Sequence, residues 1–162
     1  MKARAVFAAV LVVIVAASVF GAAQAAAGDG PWLGVWQLEQ PPPASRFEQP
    51  PYKKVTSTIE PWHDGLKVSY DMVRARGGIT HMEWTGRFDG RDYPVAGMDY
   101  FLTNAYRRID DRSYEIVIKV DGQVAANAIA VVSPDGATLT VTTIEKDSRG
   151  RPVKTAAVYR KQ

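Results

Sequence analysis

The chain has no cysteine and only two histidines in 162 residues. Without Cys there is no disulfide framework, no thiolate metal centre, no thiol nucleophile and no Cys-linked lipid anchor. Lys and Arg total 20 against 17 Asp and Glu, a formal charge of +3. No long basic run is present, and charge-driven nucleic-acid binding needs several clustered phosphate contacts. The densest basic spots, Arg74-Ala75-Arg76 and Arg107-Arg108, sit among acidic neighbours, so nucleic acid is not an expected partner. No G-x-S-x-G or H-E-x-x-H pattern occurs, which removes two common hydrolase signatures. Beyond the first 25 residues no stretch has capped 3.6-residue periodicity, so no long helix is predicted.

One long apolar run exists, over 6–20, preceded by Lys2 and Arg4. It is shorter than the ~20 residues that a spanning helix needs. Ala23-Gln24-Ala25 supplies the small-x-small pattern that a signal peptidase admits. Residues 1–25 are therefore expected to be a cleaved secretory signal, with Ala27 as the alternative cleavage point. Removing 25 of 162 residues leaves 137, and taking away two of 20 basic residues leaves 18 against 17 acidic, about +1. The product is expected in the periplasm or outside the cell, with no stable membrane anchor, as one domain over 26–162.

Turn signals punctuate that domain. Asp-Gly pairs occur at Asp64-Gly65, Asp89-Gly90, Asp121-Gly122 and Asp135-Gly136, and both residue types tolerate the positive φ of tight hairpins. The segments between are short and rich in Val, Ile, Thr and Tyr. They predict strands over 34–39, 53–60, 66–74, 79–88, 100–109, 113–120, 123–132, 138–145 and 153–160. Gln123 to Ala130 has some helical character from its alanines, but its flanking turns favour a strand. Alternation gives each strand one apolar face: Leu66, Val68, Tyr70 and Met72; Met82, Trp84 and Phe88; Tyr114, Ile116, Ile118 and Val120; Val55 and Ile59. Consecutive antiparallel strands with one apolar face each lose their two open edges by closing into a barrel. The expected fold is all-β, an antiparallel up-and-down barrel of eight to ten strands. Residues 40–51 contain Pro41-Pro42-Pro43 and Pro50-Pro51, which forbid regular pairing and predict a structured crossing loop.

Gly34-Val35-Trp36, on the first predicted strand, resembles the G-x-W motif of lipocalins and the wider calycin group. The body is similar to secreted bacterial lipocalin-like proteins of unknown function, through Gly34-Val35-Trp36, Phe88 to Val95, Arg108-Ile109-Asp110-Asp111, Val132 to Val141 and Ala157-Val158-Tyr159-Arg160. The resemblance implies that Trp36 plugs the closed end of the barrel beside Gly34. It also implies that a basic residue near the chain end packs across the indole. Arg160 is expected in that role by cation–π contact, with Lys161 the weaker candidate. The Pro-rich stretch matches the lid loop of that group in position.

Chemistry-bearing residues are few. His63 lies in the turn before Gly65, and His81 on a polar strand face; nothing in their spacing makes them converge on a metal. Barrels of the nitrobindin type, which resemble this architecture, hold haem through a His near the chain end. No His follows position 81, so no cofactor is expected. Asp110-Asp111 reads as a turn pair rather than two catalytic carboxylates. Arg107-Arg108 reads as an outward salt-bridged pair, the alternative being one arginine turned inward to grip an anion, since adjacent strand residues alternate faces.

The expected site is the interior itself: Tyr70, Met72, Met82, Trp84, Leu102, Tyr106, Tyr114, Ile116 and Ile118. Aromatic and Met linings suit a small hydrophobic molecule, and non-enzymatic carriage of such a ligand is the expected function. The alternative is a filled barrel acting through its surface as an envelope interaction or inhibitor module, with Trp32, Trp62 and the Pro-rich loop exposed.

Overall fold

A computed structural model describes residues 30–39 and 52–162. The signal segment expected at 1–25 and the Pro-rich loop expected at 40–51 lie outside the described residues. Ten strands form one closed sheet: β1 Gly34–Leu38, β2 Tyr52–Trp62, β3 Gly65–Arg74, β4 Ile79–Gly86, β5 Tyr93–Ala96, β6 Leu102–Arg108, β7 Ser113–Val120, β8 Gln123–Val132, β9 Thr138–Lys146 and β10 Pro152–Lys161. Each pairs antiparallel with its sequence neighbours, and β1 also pairs with β10. That last pairing closes an up-and-down barrel and removes both edges.

The nine expected strands are present, two with the expected bounds and the rest with ends shifted by one or two residues. Gln123–Val132 is a strand over its whole length. The sequence pattern did not reveal β5. It has four residues, one of them Pro94, and only two registered partners on each side. Such a segment is too short to show alternation. The β7–β8 turn places Asp121 at φ 48° and Gly122 at φ 79°, the mirror-image geometry that suits the right-handed twist of two strands.

Alternation sends one face of each strand inward. Trp36, Val55, Ile59, Leu66, Val68, Trp84, Tyr106, Tyr114, Ile116, Ala128, Ala130, Val132, Leu139 and Tyr159 join in one buried cluster with Trp32. The end where β2 turns into β3 and β8 into β9 is plugged. There Trp36 donates its indole N–H to the Trp32 carbonyl at 2.7 Å. Trp32 meets Phe88 and Tyr114 edge-on, at 5.4 and 5.5 Å between ring centres.

Trp32 is fully buried, which corrects its expected exposure: the residues before β1 fold the ring under the barrel. The cation on Trp36 is also corrected. Lys161, not Arg160, lies over that indole, 5.1 Å from its centre. Trp36 registers with Lys161 and Gln37 with Arg160, so Arg160 points outward, to Glu39 and Thr138. Gly34 completes the contact. Its φ is 129°, and a Cβ there would meet the Lys161 Cε at 2.9 Å, so the glycine leaves room for the lysine stem.

Arg107-Arg108 also departs from expectation. Arg107 is exposed, but Arg108 turns inward, 5.2 Å from the Trp32 ring centre, and pairs with Asp111 at 2.8 Å. Strand alternation splits the two arginines between faces. Asp110 takes its expected turn role, accepting the Arg112 N–H at 2.8 Å.

Candidate functional site

The lumen is built asymmetrically. On the β4, β6 and β7 wall, Trp84 stacks on Tyr106 at 3.9 Å and 14°, and Tyr106 on Tyr114 at 5.4 Å and 17°. The Trp84 indole N–H donates to the Asn104 carbonyl at 3.1 Å, which pins the ladder to the backbone. Tyr93 meets Trp84 edge-on at 6.0 Å. The adjoining wall is made of small side chains. Ala126, Ala128 and Ala130 alternate along β8 and are buried. They register with Glu145, Thr143 and Val141 of β9, and Val141 registers with Ala157 of β10.

Seven of the nine expected lining residues belong to the core cluster or pack against it: Tyr70, Met72, Trp84, Tyr106, Tyr114, Ile116 and Ile118. Met82 and Leu102 lie outside that cluster, although they share the inward phase of their strands. Both sit toward the second end of the barrel, where β1 ends and β2 begins.

Four tyrosines bring hydroxyls to this interior. Tyr106 is buried and Tyr70 half-buried, and loss of solvent pushes both phenols above their usual pKa; Ser57 faces Tyr70 and Asn104 faces Tyr106. Tyr114 and Tyr159 are raised chiefly by burial too, and then by neighbouring tyrosines. All four therefore stay protonated at neutral pH and are hydrogen-bond donors. The groups acting on them are one another, Ser57 and Asn104. Among the described residues, lysine, arginine, histidine and carboxylate are absent from those groups.

Two polar atoms here are left over. The Ser57 Oγ and the Asn104 Oδ1 are buried with no hydrogen-bond partner of good geometry. Buried polar atoms are paired in the great majority of proteins, so these two stand out in the interior, as does the Trp32 indole N–H at the plugged end. Ser57, Asn104, Tyr159 and the alanine wall were not among the expected site residues. A signal was present: Ser57 interrupts Val55-x-x-x-Ile59, and Asn104 interrupts Leu102-x-x-x-Tyr106, both in the inward phase.

The histidines are separated. His63 sits in the β2–β3 turn at φ 50° against Trp62. His81 is on the outer face of β4, its Nδ1 2.7 Å from Asp71. His81 also borders a rim cleft of about 280 Å³ with Arg74, Ile79, Thr80, Gly97, Met98, Asp99 and Tyr100. None of the expected lining residues belongs to that cleft.

No protein-family model matches this chain, and no curated protein matches it. The architecture is compatible with a lipocalin- or calycin-like barrel, being closed, antiparallel and ten-stranded.

Proposed function

We propose that the protein is a secreted lipocalin-like carrier that holds one small hydrophobic molecule in its barrel, without catalysis, in the periplasm or outside the cell. The observation that carries this reading is an interior that combines orphaned Ser57 and Asn104 atoms with an aromatic ladder and an alanine wall. Apolar walls with a few convergent polar groups are the usual build of a small-molecule site. Alanines at inward positions of β8 keep the side chains of that wall small.

The secretory part of the proposal rests on the leader pattern of residues 1–25. N-terminal sequencing of exported protein should read from Ala26, or from Gly28 if cleavage follows Ala27. An unprocessed leader in exported protein would remove this part. Native mass spectrometry of protein purified without detergent tests carriage. A mass excess that is lost on denaturation supports it, and bare protein that also fails to take up an apolar fluorophore defeats it.

A second reading has its own observation. Ile129, Val131 and Ile144 are exposed on the outer face of β8 and β9, and Trp62 is 45% exposed at the β2–β3 end. An envelope-interaction module would use them. Pull-down from envelope extract with a Trp62→Ala and Ile129→Ser variant as control separates this reading from carriage.

A further inference from the structure

Lumen polarity narrows the ligand class, given the carrier reading above. We propose that the lumen takes an uncharged apolar molecule whose head is a hydroxyl, an alcohol or phenol, placed between Asn104, Ser57 and the four tyrosine hydroxyls.

The Asn104 Oδ1 is an acceptor only, and it is orphaned, so it calls for a donor from the guest. Among the described residues no hydrogen bond reaches the Tyr114 or Tyr159 hydroxyl. These hydroxyls remain protonated and have protons to give, so they call for an acceptor. The Ser57 Oγ serves either way. One hydroxyl group meets both demands, because it donates once and accepts twice. A ketone or ester would satisfy the tyrosines and leave the Asn104 oxygen alone.

Charge rules out the common alternatives. A carboxylate accepts only, and in this interior it would be an unpaired buried charge, which is costly. Two inward cations are engaged at the plugged end, Arg108 on Trp32 and Asp111, and Lys161 on Trp36, and Arg74, in the inward phase of β3 at the second end, is exposed and donates to the Thr80 hydroxyl. An ammonium group seated among these hydroxyls would lack a carboxylate, since Glu145, opposite Ala126, is exposed at the second end. It would also find the Tyr106 ring already stacked on by both Trp84 and Tyr114. The apolar body would then extend toward Met72 and Ile118, which are half-buried toward the second end of the barrel.

Competition binding on the full chain tests this. N-phenyl-1-naphthylamine serves as the apolar reporter, displaced at pH 7 by 1-octanol, octanoate and octylamine. The expected result is displacement by octanol at about tenfold lower concentration than by either ion. Asn104→Leu and Ser57→Ala should each weaken octanol several-fold and leave reporter affinity within about twofold, since each removes one hydrogen bond and no wall. Asn104→Leu should also raise the denaturation midpoint of the empty protein, because an orphaned polar group is gone. Reporter binding with octanoate or octylamine equal to octanol overturns the hydroxyl assignment and leaves carriage standing. The same holds if neither variant changes octanol affinity. Failure of the reporter to bind removes the carrier reading, and this inference with it.

Discussion

Lys161 lies directly across from Trp36 in the β1–β10 register, with its ammonium 5.1 Å from the indole centre. The lysine thus closes the plugged end from the last strand onto the first, and its stem runs over the gap left by Gly34. Cation–π contacts at exposed sites contribute about 0.5–1 kcal/mol. Lys161→Ala should lower stability by about that amount in a urea titration, and Lys161→Arg should retain most of it. Arg160→Ala, which removes only the surface pair with Glu39, should leave the midpoint nearly unchanged. A larger loss from Arg160→Ala than from Lys161→Ala would contradict the assignment.

Gly65 begins β3 where the backbone of β4 ends. A Cβ at this position would meet the Gly86 carbonyl oxygen at 2.0 Å, and the obstacle is backbone that cannot rotate away. Gly65→Ala should therefore cost about 1–3 kcal/mol, the scale of an overpacked interior. Gly122→Ala has open space around the new methyl but φ of 79°, so it tests backbone strain alone and should cost less, about 1–2 kcal/mol. Equal effects of the two, measured by thermal unfolding, would show that close approach is not the cause.

The tyrosine set makes a prediction at high pH. Burial raises the folded-state pKa of Tyr70, Tyr106, Tyr114 and Tyr159 above the ordinary 10.0. A phenol raised in this way contributes stability in full below pH 10, and loses it as pH rises through the folded value. Absorbance of tyrosinate should therefore rise in two stages, with the four lumen residues appearing last, as the barrel unfolds. Titration of all seven tyrosines as one group near pH 10, with native circular dichroism intact, would contradict their burial.

Low pH acts through different residues. Asp89, Asp110, Asp135 and Asp147 each accept backbone N–H bonds within turns, and their pKa values are held below the ordinary 3.8. Such groups contribute above the unfolded value, and the contribution disappears as pH falls through the folded one. Stability should thus decline below about pH 4, and Asp147→Ala should flatten that decline. An unchanged acid limb in Asp147→Ala would show that the β9–β10 turn plays no part in it.

Much of the architecture was legible because hairpin barrels advertise themselves locally. Asp121-Gly122 marks a turn by its chemistry, and Tyr114-x-Ile116-x-Ile118 marks a face by its period. The parts that escaped depend on phase or on distance. Arg160 and Lys161 are adjacent, so only the register with Trp36 decides which one reaches the ring. Pro94 and the shortness of β5 concealed a strand whose role is to bridge β4 and β6. Tyr106 was readable as an inward residue, but its place between Trp84 and Tyr114 was not. That place changes how it is tested: Tyr106→Ala would remove a rung of the core, at about 3–5 kcal/mol, whereas Tyr106→Phe removes the hydroxyl alone. Ser57 and Asn104 were visible as polar interruptions in apolar faces. Their meaning needed the closed sheet, which brings them into one lumen.

The account stands on the lumen as a binding site, and titration of the wild-type chain and Ala128→Leu with N-phenyl-1-naphthylamine tests it most directly. Ala128 is buried midway along the small-residue wall, so leucine there should fill the space a guest needs. The account predicts saturable one-to-one binding with blue-shifted emission in the wild type. It predicts at least a tenfold loss in the variant, on the order of a few methylenes of lost contact, with the barrel still folded. No saturable binding in the wild type, together with an Ala128→Leu barrel destabilised as an overpacked core, would show the interior to be solid and the carrier reading wrong.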